Sequence, residues 1–198
     1  MPRLALFASG SGSNAEKIVE YFRDHATISV DLILCNNPQA GVIDRAKRLE
    51  VPLALFDRTQ FRSGEVLEIL VKYEIDYLIL AGFLWLIPKD FVAAYPNRIL
   101  NLHPALLPRF GGQGMYGHRV HEAVVAAGER ESGITIHLVN EQYDEGTILF
   151  QATFPVEPTD TADDVARKGQ TLEHEHFPKV IEQWVMQGQL PSTGLAPA

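Results

Sequence analysis

Two kinds of hydrophobic pattern alternate along the first half of the chain. Short aliphatic runs predict strands at residues 4–8, 28–35, 53–56, 77–81 and 99–103. Apolar residues spaced three and four apart predict helices between them, at residues 14–24, 42–50, 63–73 and 89–95. This βαβα order predicts an α/β fold with a mostly parallel, twisted sheet and helices on both faces.

The pattern changes after residue 103. A segment rich in glycine and proline (104–117) precedes a predicted helix at 118–127, two strands at 134–139 and 148–155, and a long helix at 161–186. We expect these two strands to add to the sheet in antiparallel fashion. Thr161 is the expected N-cap of the long helix, because acidic residues follow it in the first turn. We expect one domain over residues 1–188 and a flexible tail at 189–198.

Composition restricts the classes of function. The chain has 198 residues, 46% of them hydrophobic, and one cysteine, Cys35, which favours a single globular domain in a reducing cytoplasm. The apolar N-terminus reaches Ser9 and Gly10 too early for a signal peptide or a membrane span. A formal net charge of −8 argues against binding to nucleic acid. We therefore expect small-molecule ligands, no membrane and no nucleic acid.

The loop after the first strand has the composition of an anion site. Ser9-Gly10-Ser11-Gly12-Ser13-Asn14 leads directly into the first helix, so backbone N–H groups and the helix dipole converge there. Gly10-x-Gly12-x-x-Ala15 also matches the dinucleotide fingerprint, but residues 35–38 at the end of the second strand lack the acidic residue that NAD binding needs. A tight turn with an ordinary helix cap is the third interpretation.

Asn101 and His103 are candidate catalytic residues. They lie two apart at the end of a predicted strand and so face the same side of the sheet. An amide donor beside a protonated imidazole is suited to stabilising an oxyanion. A carboxylate would have to hold the pKa of His103 up. Asp144 is the candidate, while the competing acids, which spacing does not exclude, are Glu141, Glu145 and Asp160. A histidine that only bonds a backbone carbonyl is the alternative.

The other histidines give weaker signals. His118 and His121 share a helical face, and His174 and His176 flank a glutamate, so a zinc site is conceivable. No His-Glu-x-x-His motif or cysteine pair supports it, and we predict no metal. His137 is interpreted as a structural residue of a strand.

These motifs, in this order, resemble the folate-dependent formyltransferase family. The resemblance covers residues 4 to about 186 and rests on Ser9-Gly10-Ser11-Gly12-Ser13-Asn14, Ala81-Gly82-Phe83, Asn101-x-His103-Pro104-x-Leu106-Leu107-Pro108 and Asp144-x-Gly146. The first motif is similar to that of the members that formylate glycinamide ribonucleotide. The resemblance implies a Rossmann-like formyltransferase fold, with 10-formyltetrahydrofolate as cosubstrate and a role in purine biosynthesis.

The resemblance also implies residue roles. Asn101 and His103 would stabilise the oxyanion of the tetrahedral intermediate, His103 would donate a proton, and Asp144 would raise its pKa and relay protons through a water. The substrate would be held at its phosphate by Gly12, Ser13 and Asn14, and at its ribose and glycinamide by Gln170 and Glu173. The folate would contact Leu84, Trp85, Leu86, Ile87, Ile99, Val139 and Arg62. Many members carry arginine where this chain has Trp85.

Related activities remain as alternatives. A formyltetrahydrofolate hydrolase would use water as acceptor and carry a further N-terminal domain, and a methionyl-tRNA formyltransferase would carry an RNA-binding domain; we expect neither domain here. The phosphate loop argues against a sugar-nucleotide formyltransferase, and a binding module without catalysis would not need Asn101, His103 and Asp144 to meet. We expect a monomer or a homodimer, with residues 110–117 as a lid.

Overall fold

The computed structural model describes residues 1–187, and the chain divides into two compact units. The first unit is Met1–Leu100 and the second begins at Asn101. Strand β5 (Ile99–His103) crosses this boundary and contributes residues to both. The assignment of residues 1–188 to one domain stays a prediction, and the tail expected at 189–198 lies outside the described residues.

The first unit is built on a parallel sheet. Its strands are β1 (Arg3–Ala8), β2 (Ser29–Cys35), β3 (Leu53–Leu55) and β4 (Tyr77–Leu80), in the order β3-β2-β1-β4 with β5 beside β4. β1 pairs in parallel with β2 and β4, and β2 pairs in parallel with β3. Residues 4–8 of β1 are completely buried, as is usual for a central parallel strand covered on both faces.

The helices of the first unit match the prediction except for one. They are α1 (Ser13–Phe22), α2 (Val42–Leu49), α3 (Arg58–Ser63), α4 (Glu65–Lys72) and α5 (Lys89–Ala94). Helix α3 was not predicted. Asp57 caps this helix by accepting hydrogen bonds from the N–H groups of Thr59 and Gln60, and Gln60 Oε1 accepts one from Asp57 N. This capping box was a readable signal in the sequence.

The second unit combines β5 with an antiparallel pair and two helices. The pair is β6 (Glu131–Leu138) and β7 (Ile148–Pro155), in the order β5-β6-β7, and the helices are α6 (His118–Ala126) and α7 (Ala162–Gln187). β6 begins three residues earlier than predicted, because Gly133 can pair closely with β7: a Cβ there would collide with the carbonyl of Ala152. Val124, Phe154, Val156 and Val165 form a hydrophobic cluster.

These pairings confirm the predicted fold class, a mostly parallel α/β sheet with an antiparallel C-terminal addition. The predicted cap of α7 is also present, since Thr161 Oγ1 accepts a hydrogen bond from Asp164 N and Asp164 Oδ2 accepts one from Thr161 N. None of the helices within residues 1–187 is long and apolar enough to cross a membrane.

Candidate active site

His103 lies at the end of β5 and is 3% exposed. Its Nε2 lies 2.8 Å from the carbonyl oxygen of Phe110. Because a carbonyl oxygen only accepts hydrogen bonds, Nε2 must carry a hydrogen and donate it. The other ring nitrogen, Nδ1, lies 3.5 Å from Asp144 Oδ2. Nδ1 is therefore the atom at which His103 can gain or lose a proton.

Asp144 is the candidate acid that the structure places against His103. It lies in the turn between β6 and β7 with a left-handed backbone (φ 55°). Its Oδ2 accepts a hydrogen bond from Gly112 N at 3.0 Å, and its Oδ1 lies 3.5 Å from Asn101 Nδ2. Gly146 lets this turn lie against β6, because a Cβ at Gly146 would collide with the carbonyl of Leu138. The spacing Asp144-x-Gly146 thus has a steric reason.

The expectation of a raised pKa for His103 is wrong. Burial lowers the pKa of His103 and outweighs the charge of Asp144 and the Phe110 carbonyl, both of which raise it. Burial alone would raise the pKa of Asp144, but its contact with His137, the charge of His103 and the Gly112 N–H lower it. The site therefore holds an ionised carboxylate beside an imidazole that is neutral near pH 7.

His137 belongs to this group, whereas its predicted role is structural. It is 2% exposed on β6, and its Nδ1 lies 2.9 Å from the carbonyl oxygen of Leu138 and so donates to it. Because an amide nitrogen only donates, Nε2 accepts the hydrogen bond from Asn101 Nδ2 at 3.0 Å, and it lies 3.5 Å from Asp144 Oδ1. Only the pairing of β5 with β6 reveals this contact, and a lone strand histidine carries no such signal.

The segment that follows His103 is fixed by two side chains. Thr135 Oγ1 accepts a hydrogen bond from Leu107 N at 3.0 Å and donates one to Ala105 O at 2.6 Å. Gln151 Nε2 donates to Leu107 O at 3.1 Å and to Thr135 Oγ1 at 2.9 Å. These bonds hold the start of the loop whose next residues, Phe110 and Gly112, contact His103 and Asp144. Whether residues 110–117 act as a lid stays a prediction.

The carbonyl groups of the predicted anion loop accept hydrogen bonds from residues further along the chain. Successive carbonyls of Ser9, Gly10 and Ser11 accept hydrogen bonds from Asn37 Nδ2, Val42 N and Arg45 Nε at 3.3, 3.2 and 2.8 Å, respectively. Gly12 is the N-cap residue of α1 with φ 76°, and no side chain within the described residues caps this helix. The carbonyls of the loop are thus engaged by residues of α2 and of the segment before it, and α1 begins at a glycine that adds no side-chain cap.

Two ion pairs fix α1 beside α2. The carboxylate of Glu16, in the first turn of α1, pairs with the guanidinium groups of Arg45 and Arg48 on α2. Arg45 also donates to Ser11 O, so the same side chain connects the helix pair to the loop. The position of the loop therefore depends on α2 as well as on β1.

The predicted folate residues of the first unit differ in exposure. Leu84 and Leu86 are 42% and 41% exposed, whereas Ile87 and Ile99 are buried at 3% and 1%. Leu84 N donates a hydrogen bond to Ser9 Oγ at 3.1 Å, which connects this segment to the anion loop. Ile99 is almost completely buried, so it exposes very little surface to a ligand.

The remaining predicted residues lie on or beside three other elements. Arg62 is exposed on α3 and Val139 is half-buried just after β6. Gln170 is exposed and Glu173 half-buried, three residues apart on α7. The roles of these residues stay predictions.

The histidines considered for zinc do not form a metal site. Within residues 1–187, no three His, Cys, Asp or Glu side chains are grouped so that they could hold a metal ion. The rings of His118 and His121 are 6.3 Å apart. Burial, with the charges of His118 and His103, lowers the pKa of His121 to about 4.

Comparison with known proteins identifies the family. The model of the formyl transferase family matches residues 2–181. The chain belongs to the formyl transferase family. Among its relatives is the phosphoribosylglycinamide formyltransferase of Bacillus subtilis, which is 34% identical over 92% of this chain and 94% of that protein. The chloroplastic enzyme of the same name from Arabidopsis thaliana is 41% identical over 90% of this chain.

Solved structures of this formyl transferase family have the same fold. The glycinamide ribonucleotide transformylase 1 of Symbiobacterium toebii superimposes with a TM-score of 0.87 at 31% identity, covering 94% of this chain and 89% of that one. The phosphoribosylglycinamide formyltransferase of Bacillus halodurans gives a TM-score of 0.86 at 32% identity, over 97% and 100% of the two chains. This chain spans 64% of the Arabidopsis relative and 60% of the one from Vigna unguiculata.

Proposed function

We propose that this protein transfers the formyl group of 10-formyltetrahydrofolate to the amine of glycinamide ribonucleotide, in de novo purine biosynthesis. The observation that carries the proposal is the group of Asn101, His103 and Asp144, in which an amide donor, a protonatable ring nitrogen and a carboxylate meet. The names of the bacterial relatives support the choice of acceptor.

The reaction needs one bond made, one broken and one proton moved. The substrate amine attacks the formyl carbon, and the carbonyl oxygen becomes an oxyanion. Asn101 Nδ2 has two hydrogens, and one of them is donated to His137. The other is on the side of Asp144 Oδ1, 3.5 Å from Nδ2, and this is the hydrogen that stabilises the oxyanion. The bond from the formyl carbon to folate N10 then breaks, and N10 takes up a proton while the amine loses one.

His103 Nδ1 is the proton carrier in this scheme. The ring is neutral at rest because burial lowers its pKa, and a proton taken up at Nδ1 points at Asp144 Oδ2. The ionised Asp144 stabilises the imidazolium for the time that the proton is held. A resting base beside a carboxylate can accept the proton of the attacking amine and return it to N10.

The binding roles follow the motifs. Gly12, Ser13 and Asn14 hold the phosphate at the N-terminus of α1, and Gln170 and Glu173 contact the ribose and glycinamide. Leu84 to Ile87 contact the pterin, and its apolar surroundings include Ile99 and Val139.

The setting of the reaction is also a proposal. We place the protein in the cytoplasm, as a monomer or homodimer that binds no nucleic acid, on the strength of its net charge of −8 and its single buried thiol, Cys35. The plant relatives are named chloroplastic, so locating the protein in its own cells is the test.

The acceptor tests the proposal directly. Deformylation of the folate is followed by absorbance with glycinamide ribonucleotide, with water alone and with a sugar-nucleotide amine. Turnover only with the ribonucleotide supports the proposal, and turnover without any amine would make the protein a hydrolase.

A further inference from the structure

Thr135 and Gln151 lie opposite each other on β6 and β7 and form a saturated hydrogen-bond pair. The hydroxyl of Thr135, which is completely buried, donates its one hydrogen to Ala105 O and accepts from Leu107 N and Gln151 Nε2. Gln151 Nε2 donates its second hydrogen to Leu107 O at 3.1 Å. Both lone pairs and the hydrogen of the hydroxyl, and both hydrogens of the amide, are thus in use.

This bonding pattern fixes the orientation of the Gln151 amide. Leu107 O only accepts hydrogen bonds, and Thr135 Oγ1 has already given its hydrogen to Ala105 O, so both atoms need a donor. An amide oxygen in the place of Nε2 would be a third acceptor facing them. A carboxylate of the same shape could therefore not replace this amide.

The segment held in this way carries the carbonyl that His103 contacts. Three residues after Leu107, the carbonyl oxygen of Phe110 lies 2.8 Å from His103 Nε2. Phe110 has a left-handed backbone (φ 56°), a conformation that a residue other than glycine keeps only where its surroundings fix it. The Leu107 side chain lies so close to Gly111 that a Cβ there would collide with its Cδ2 atom. The position of the Phe110 carbonyl therefore depends on that of Leu107.

Two acceptors compete for the one ring hydrogen of neutral His103. Phe110 O lies 2.8 Å from Nε2, and the ionised carboxylate of Asp144 lies 3.5 Å from Nδ1. A carboxylate is the stronger acceptor, so without the Phe110 carbonyl the hydrogen would shift towards Nδ1, where it faces Asp144. A ring in that tautomer has no lone pair at Nδ1 with which to take up a proton.

We propose that Gln151 is a positioning residue for His103. It holds Leu107 at its carbonyl group directly and at its N–H group through Thr135. In this way it keeps the Phe110 carbonyl on Nε2 of His103 and keeps Nδ1 free of hydrogen. The effect of Gln151 on the rate rests on the proposed function, in which Nδ1 accepts the proton of the attacking amine.

The ¹⁵N resonances of the His103 ring test the inference without any substrate. Spectra are recorded at about pH 8, where this imidazole is neutral, and His103→Gln identifies the signals of His103 among those of the seven histidines. We expect hydrogen on Nε2 alone in the wild type. Gln151→Met should add the tautomer with hydrogen on Nδ1. Gln151→Glu, which keeps the shape but loses the donors, should do the same.

Steady-state kinetics of formyl transfer measure the consequence for the reaction. Gln151→Met and Gln151→Glu should each lower kcat about tenfold, the scale of one hydrogen bond, with little change in either KM. Thr153→Val is the matched control, because Thr153 is exposed and lies two residues along β7 on the same face of the strand. It should match the wild type in both tests, and thermal unfolding checks that every variant is folded.

The outcomes separate this inference from the proposed function. Hydrogen on Nδ1 in the wild type, or an unchanged tautomer in the folded Gln151 variants, would overturn the inference. A wild-type kcat in variants whose tautomer has changed would also overturn it, since Gln151 would then not serve the reaction. Absence of formyl transfer by the wild type would instead reject the proposed function, while the tautomer of His103 would still be measured.

Discussion

At the scale of single residues, hydrogen bonds within the chain orient the groups of the site. His103 donates from Nε2 to Phe110 O, which leaves Nδ1 for proton transfer towards Asp144. Asn101 donates one amide hydrogen to His137, so the amide is fixed with its nitrogen towards the group. Donors held in place in this way cost little reorganisation when charge develops on a reacting oxygen.

Loss of either side chain should therefore be severe. We expect Asn101→Ala to lower kcat by at least about 10²- to 10³-fold, or about 2.7–4 kcal/mol, the usual effect of removing one oxyanion donor. His103→Ala removes the proton carrier and should lower kcat by at least about 10²- to 10³-fold, within the usual range for loss of a general acid or base. Initial rates with both substrates measure this, and thermal unfolding checks that each variant is folded. Near wild-type turnover by both folded variants would contradict the mechanism.

Asp144→Asn should change the pH dependence as well as the rate. The charge of Asp144 raises the pKa of His103 against the effect of burial. Without that charge, the pKa falls further below its ordinary value, and the protonated form is lost at a lower pH. In the pH–rate profile, the limb that reports His103 should move to lower pH. A limb that stays in place would remove Asp144 from this role.

The sequence alone predicts only part of this arrangement. The i, i+2 spacing of Asn101 and His103 follows from strand geometry and needs no fold. Asp144 is 43 residues away from Asn101, and which of four acids meets His103 is decided by the turn between β6 and β7. The burial that lowers the pKa of His103 is likewise a property of the folded chain.

At the scale of elements, the anion loop depends on one backbone conformation. Gly12 has φ 76°, a region that costs other residues about 1–2 kcal/mol, and a Cβ there would lie 2.5 Å from Val42 Cγ2. The loop can pass α2 this closely only with glycine at that position.

Gly12→Ala should therefore distort the loop. We expect a free energy of unfolding lower by about 1–3 kcal/mol, from backbone strain and overpacking, and a KM for glycinamide ribonucleotide raised about tenfold. Denaturant unfolding and steady-state kinetics measure the two effects. Gly10→Ala is the control for stability, because a Cβ there meets nothing within 4 Å. Equal stability of the two variants would refute the steric argument.

Most elements were predicted because their hydrophobic pattern or their capping residues lie within the element itself. β5 was predicted at its observed bounds, and the cap of α7 at Thr161 is present. α3 was missed because six residues are too short for a hydrophobic period, although the capping box of Asp57 and Gln60 marks its start. The early start of β6 depends on pairing with β7, which no local pattern contains.

At the scale of the whole molecule, the order of the elements predicted the fold class, and the motifs predicted the family. Alternating strands and helices lead to a parallel sheet by general rules of connection. The division into two compact units after Leu100 was not predicted, because β5 is continuous across it and no linker marks the place. The motifs of the resemblance lie in both units.

The central claim is that this protein passes a formyl group from folate to one particular amine. The most direct measurement is the rate of 10-formyltetrahydrofolate deformylation with and without glycinamide ribonucleotide, with mass spectrometry of the ribonucleotide product. We predict turnover that requires the ribonucleotide and yields one formylated product for each folate consumed. Deformylation at the same rate in its absence, or none with it, would contradict the account.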